Sequence, residues 1–228
     1  MDIARFKAEF LQQHYDVCGV PMKAFLIARL TEIQRLGTIL PWFFNAVVRN
    51  RMTGGMLKRM LHFAPERAIP TLYKTTLKHW LGRYRRKNRG EIVGRVFLFA
   101  DEFTNYMDVE IGIKMIELLD RLGYEVIIPK HVESGRTAIS KGMLKVAKGV
   151  ARKNVLLLKS WVTENIPLVG IEPSCILSFR DEYPDLVGDD LKEEAVRLGK
   201  NCLLYDEFFT REMRAGRIRA EQFTDQPL

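Results

Sequence analysis

The spacing of apolar positions changes character near residue 91. Before it, apolar residues recur every three or four positions, the period of amphipathic helices. Ile3, Phe6, Phe10 and Leu11 predict a helix over residues 2–18, which Asp2 can cap and Gly19-Val20-Pro21 breaks. A second helix places Ala24, Leu26, Ile27, Leu30, Ile33 and Leu36 inside and Lys23, Arg29, Glu32 and Arg35 outside, and ends or bends at Gly37. Leu40 to Val48 is the most apolar stretch. It reads either as a core helix of a small bundle or as an amphipathic surface that docks on a membrane or a partner domain. Gly54-Gly55 reads as a loop and residues 56–62 as a short helix. Phe63 to Pro70 reads as an extended connector and residues 71–81 as a further helix.

After residue 91, short solid apolar runs alternate with helical patterns. Val93 to Ala100, Tyr124 to Pro129, Pro167 to Ile171 and Asn201 to Tyr205 read as strands. Runs without polar alternation suit strands covered on both faces, as in parallel sheets. Between them the pattern predicts helices over 109–122, 137–153, 154–165, 175–183, 190–199 and 207–215, the last capped by Asp206. The tail from Ile218 reads as coil, ending as if cut. The expected fold class is α/β: a small doubly wound, mainly parallel sheet of four strands, preceded by an all-helical segment. The expected division is residues 1–90 and 91–228.

Charge supports that division. Residues 1–90 hold 17 Lys/Arg against 5 Asp/Glu, a net of +12, whereas residues 91–228 hold 19 against 23, a net of −4. The basic run Arg83 to Gly90 reads as a phosphate-binding patch or as a solvated linker. No helix-turn-helix, zinc-finger or RNA-binding aromatic pattern accompanies it, so nucleic acid is not an expected partner. The opening residues lead into a mixed-charge helix, unlike a signal peptide. Three widely spaced cysteines, Cys18, Cys175 and Cys202, argue against a disulfide framework and fit a reducing, cytoplasmic setting.

Ligands of doubly wound sheets gather at the C-terminal strand ends. Three such ends are Asp101 to Tyr106, Lys130 to Arg136 and Glu172 to Cys175. They should lie side by side and form one site. Asp101, Asn105, Glu133, Ser134, Gly135, Arg136 and Glu172 are its candidate loop residues. Cys175 sits where a strand turns into a helix. Its thiol either faces the unpaired N–H groups of a first helical turn, which favour a thiolate, or packs as a small apolar group under a tight turn. Gly135 is most simply a residue with positive φ. His131 reads as a solvated loop histidine. Neither Gly-x-Gly-x-x-Gly nor a P-loop lysine motif is present.

The stretches Phe97 to Tyr106, Gly123 to Val126, Ser134 to Gly142, Gly170 to Cys175 and Arg180 to Pro184, in this order, resemble the cysteine-rich (CCG) domain family. That domain occurs in iron–sulfur subunits of glycolate oxidase, anaerobic glycerol-3-phosphate dehydrogenase and heterodisulfide reductase. It also ends fused proteins carrying FAD-binding and ferredoxin-like domains. Phe63 to Arg67 and Leu72 to Leu77 resemble the helical segment between the ferredoxin and CCG parts, and Asp2 to Lys7 the residues after the last ferredoxin cysteine.

The chain departs from the family in two ways. Glu133-Ser134 stands where the family has paired cysteines, and one CCG-type repeat is present rather than two. The resemblance implies a fragment of a FAD-linked, iron–sulfur oxidoreductase of 2-hydroxy-acid or glycerol-phosphate dehydrogenase type, serving electron transfer or domain docking. Cys175 is then the one candidate cluster ligand, too few for a cluster of about four ligands. No cofactor or metal is expected in this chain itself; FAD and [4Fe-4S] clusters belong to the parent. The implied partners are the parent's FAD-binding and ferredoxin-like domains, with a second CCG repeat, the inner membrane surface or a second copy as further candidates. The rival readings are a cofactor-free interaction scaffold and a basic membrane- or nucleic-acid-binding module. A carboxylate and a hydroxyl are poor substitutes for thiolates on soft iron–sulfur sites, so electron transfer ranks first but with the scaffold close behind it.

Overall fold

In β1 (Gly94–Phe99), successive side chains point to opposite faces, and Val96, Phe97, Leu98 and Phe99 are all buried. Phe97 and Phe99 enter one apolar core, Val96 and Leu98 another. A strand covered on both faces is what the solid apolar run predicted. The computed structural model describes residues 3–223.

Ahead of β1 come α1 (Ile3–Cys18), α2 (Met22–Ala28), α3 (Leu30–Gly37), α4 (Pro41–Arg49), α5 (Arg51–Met60) and α6 (Leu77–Arg83). Next follow α7 (Val109–Arg121), β2 (Tyr124–Ile127), α8 (Arg136–Ser140), α9 (Leu144–Leu158) and β3 (Leu168–Gly170). The chain continues through α10 (Pro173–Ile176), α11 (Ser178–Asp181), α12 (Tyr183–Leu186), α13 (Lys192–Lys200), β4 (Cys202–Leu204) and α14 (Tyr205–Arg214). The four strands pair in parallel in the order β2-β1-β3-β4. The protein is therefore α/β, with helices before the sheet. Residues from α9 to α13 cover the Phe97/Phe99 face. Residues from α6, α7 and α14 cover the Val96/Leu98 face.

Several elements differ from their sequence-based expectation, each for a tertiary reason. The glycine pair 54–55 lies inside α5 rather than in a loop. Asn50 starts this helix early, accepting from the N–H groups of Met52 and Thr53 at 2.8 and 3.2 Å. At Gly54 a Cβ would stand 2.4 Å from the Val48 carbonyl oxygen, so the glycine permits a close approach rather than a turn. Residues 71–76 are not helical, and the helix begins only at Leu77. The Leu72 N–H donates to Asn45 Oδ1 and the Tyr73 N–H to the Tyr106 carbonyl, both at 2.8 Å, which diverts these backbone groups from a helix. Thr76 then caps α6 by accepting from the His79 N–H.

The predicted second helix breaks at Arg29. Leu36, expected inside, is exposed, and Gln34 is buried in its stead. The helices predicted over 137–153 and 154–165 are redrawn as α8 and α9, separated by Gly142 at φ +70°. A Cβ there would lie 2.3 Å from Leu11 of α1. The pattern at 175–183 resolves into the short α10, α11 and α12. Asp206 does not cap α14; Glu207 does that work by accepting from the Leu204 N–H at 2.8 Å.

The basic run over 83–90 is not a free linker. Tyr84 Oη and the Lys87 N–H both donate to Asp120 Oδ2 at 2.7 Å, and Asn88 donates to the Asp120 and Arg121 carbonyls. The segment is thus fastened to the C-terminal end of α7, where it meets the helix's carbonyl groups. The predicted Asp2 cap and residues 224–228 of the predicted coil lie outside the described residues.

Candidate functional site

Because β2, β1 and β3 are neighbours, their C-terminal loops meet. The joint is a buried carboxylate. Glu102, just after β1, accepts from the Ser134 N–H at 2.9 Å through Oε2 and from the Ser134 hydroxyl at 2.7 Å through Oε1. Ser134 belongs to the loop after β2 and is fully buried. Cys175, after β3, is buried too, with its thiol beside the Ser134 hydroxyl. The Ser134 hydroxyl also accepts from the Arg136 N–H at 3.0 Å.

Two further side chains hold this loop. Tyr183 Oη donates to the Ser134 carbonyl at 2.8 Å. Asn154, on α9, accepts from the Val132 N–H at 2.9 Å and donates to the Glu133 carbonyl at 2.7 Å and to Tyr183 Oη at 2.9 Å. Tyr183 and Asn154 are buried, so these bonds replace water that the loop's backbone groups cannot reach. Phe179 packs edge-on against Phe99, with ring centroids 5.1 Å apart, and closes the apolar side.

The other predicted residues have structural work. Asp101 accepts from the Phe103 N–H at 2.8 Å and from the N–H and hydroxyl of Thr104 at 2.9 and 2.7 Å, closing the turn after β1. Asn105 accepts from the Lys78 N–H through its side chain and from the Leu77 N–H through its carbonyl, seating α6. Glu172 accepts from the Ser174 hydroxyl at 2.7 Å and caps α10. Gly135 has φ +75°, as expected for a glycine before α8. Arg136 pairs with Glu182 at 3.0 Å. Glu133 offers its carbonyl to Asn154, and its charge acts on Lys78.

The electrostatics run against a thiolate. Burial, then the charges of Glu102 and Asp101, push the Cys175 thiol far up from its usual range. The expected activation by a helix N-terminus does not prevail, because α10 is only four residues long and burial, with the two carboxylate charges after it, disfavours the thiolate. His131 is buried rather than solvated. Its Nδ1 lies 2.7 Å from the Val132 carbonyl, and its ring packs on Phe99 with centroids 4.6 Å apart. Burial, then the Lys78 charge, holds it down to about 3, so it is neutral.

Glu102 is pushed up to about 7, mainly by burial and against the two Ser134 bonds. This shift ties stability to pH. In the unfolded chain a glutamate titrates near about 4.3, so protonation favours the folded state in the window above that value. The contribution is whole below about pH 4 and is lost as pH rises through about 7. Urea unfolding should therefore show wild-type stability falling by about 3 kcal/mol more than that of Glu102→Gln between these limits. Parallel pH profiles for the two proteins would exclude the assignment.

The donor set does not suit an iron–sulfur cluster. Such clusters take about four thiolate-type ligands. Here one protonated thiol faces carboxylates, and the Ser134 hydroxyl is committed to Glu102. Among the described residues, no three His, Cys, Asp or Glu side chains are grouped to hold a metal ion. Cys202 is buried with its thiol donating to the Leu198 carbonyl at 3.3 Å, and Cys18 is exposed.

Glu102, Asn154 and Tyr183 were not singled out as site residues from the sequence, and His131 was placed at the site only as a solvated loop residue. Only Glu102 carried a usable signal, as a carboxylate directly behind a solid apolar strand.

Comparison with known proteins gives partial relatives. No family model matches the chain. It is 23% identical over 210 residues to D-2-hydroxyglutarate dehydrogenase of Escherichia coli, covering 89% of this chain and 21% of the relative. It is 23% identical over 180 residues to a component of the anaerobic glycerol-3-phosphate dehydrogenase of the same organism, covering 78% of this chain and 45% of that component. Lactate utilization protein A of Macrococcus caseolyticus is 30% identical over 102 residues, 44% of this chain and 40% of its own length. The chain is thus similar to pieces of these oxidoreductase proteins and spans about a fifth of the first of them. No solved structure matches. Among the described residues, no helix is long and apolar enough to cross a membrane.

Proposed function

We propose that this chain is a CCG-type α/β unit of a FAD-linked, iron–sulfur oxidoreductase of the 2-hydroxy-acid or glycerol-phosphate dehydrogenase type. Within that assembly it serves domain docking and carries no cluster of its own. FAD and [4Fe-4S] clusters are supplied by partner domains. The similarity to parts of D-2-hydroxyglutarate dehydrogenase and of anaerobic glycerol-3-phosphate dehydrogenase supports the oxidoreductase type. The Glu102–Ser134 pair carries the docking reading. It ties together two of the loops that would have to present soft ligands, and it does so with hard oxygen groups already bonded to each other.

Anaerobic reconstitution of the chain with iron and sulfide, followed by metal and sulfide analysis, tests this. The expected outcome is a folded chain with no stoichiometric iron and no charge-transfer absorption. Stoichiometric iron that Cys175→Ser removes would overturn docking in favour of electron transfer.

A further inference from the structure

The hairpin of α4 and α5 leaves long apolar side chains in water that neither the core nor the strand-end site uses. Trp42 is 70% and Phe43 54% exposed at the start of α4. On α5, Met52, Met56 and Met60 are exposed at four-residue spacing, which lines them along one helix face. The two helices form one body, because Gly54 lies against the Val48 carbonyl and Thr53 donates its hydroxyl to the Val47 carbonyl at 2.6 Å.

Along this stretch of the chain the charge has one sign. From residue 33 to residue 65 there is no Asp or Glu, and there are five cations: Arg35, Arg49, Arg51, Lys58 and Arg59. Among the described residues none of the five forms an ion pair, whereas most other charge-rich parts of the surface pair their cations with carboxylates. Exposed Trp, Phe and Met beside unpaired cations ask for an occupant that is negative at its surface and apolar just beneath it. A bilayer with anionic headgroups has both properties within a few ångströms of depth. Since neither helix can span a bilayer, the attachment would lie in the plane of the interface.

We propose that the α4–α5 hairpin is an interfacial docking surface for a membrane containing anionic lipid. The proposal does not depend on the reading of the strand-end site. Co-sedimentation of the full chain with vesicles tests it, using phosphatidylglycerol-containing vesicles and pure phosphatidylcholine vesicles side by side. Binding is expected only with phosphatidylglycerol, and it should weaken with added salt. Each basic residue near such a surface contributes about fivefold to binding, so Arg51→Glu/Arg59→Glu should lower it by about a hundredfold or more. Trp42→Ala should lower it about tenfold, and Trp42→Phe much less. These side chains are exposed, so circular dichroism of the variants should match wild type. Equal binding to both vesicle types, no binding to either, or wild-type binding by the variants would overturn the proposal. A dimer in velocity sedimentation that abolishes vesicle binding would also overturn it and assign the face to a second copy.

Discussion

Asn154→Ala should destabilise the protein by about 3–5 kcal/mol, as measured by urea unfolding. The side chain makes one accepting and two donating bonds in a buried place, to Val132, Glu133 and Tyr183. Its removal orphans the Val132 N–H and the Glu133 carbonyl, while Tyr183 keeps its bond to the Ser134 carbonyl, and each buried unpaired group costs about 1–3 kcal/mol. The loop over 131–135 should open with it, because both orphaned groups belong to its backbone. Hydrogen exchange at Val132 and Ser134 should rise by several orders of magnitude, while exchange in β1 tracks only the global loss. An Asn154→Ala protein that keeps these amides protected would show that Tyr183 alone holds the loop.

Leu77→Ala should cost about 3–4 kcal/mol. Leu77 is fully buried in the core on the Val96/Leu98 face, and its methyl groups fill the space left by the missing side chain of Gly112. A Cβ on Gly112 would lie 2.5 Å from Leu77 Cδ2, so the fit is close and the lost volume becomes a cavity. The backbone of α6 is held separately by Asn105, which limits collapse into the space. The same residue joins the helical first part to the sheet. Limited proteolysis between residues 61 and 76 should therefore accelerate in the variant. Wild-type cleavage with lowered stability would mean that the Asn45, Tyr106 and Asn105 bonds hold the connector without Leu77.

The α/β class and the places of all four strands were legible in the apolar pattern. Parallel strands buried on both faces leave solid apolar runs, and Val96 to Phe99 is such a run. The convergence of three loops was legible as well, since adjacent parallel strands must end on the same edge. Helix limits were less legible. Gly54 looked like a turn and proved to be a contact point with Val48, and residues 71–76 had a helical pattern yet bond to Asn45 and Tyr106. In both cases a tertiary or neighbouring-helix partner outweighs local preference.

The state of the candidate site was not legible at all. Cys175 at a helix start suggested a thiolate, but burial, and after it the charges of Glu102 and Asp101 from a loop about seventy residues earlier, reverse the balance. His131 looked solvated until Phe99 covered it. The periodicity of side chains determined by itself which residues form the sheet, because burial on two faces leaves a local mark on every strand. Only the tertiary structure decided which groups share a buried space, and protonation depends on that neighbourhood. Exposure of Trp42 and the α5 methionines belongs to the same class, since an apolar stripe has the same sequence whether a core or solvent faces it.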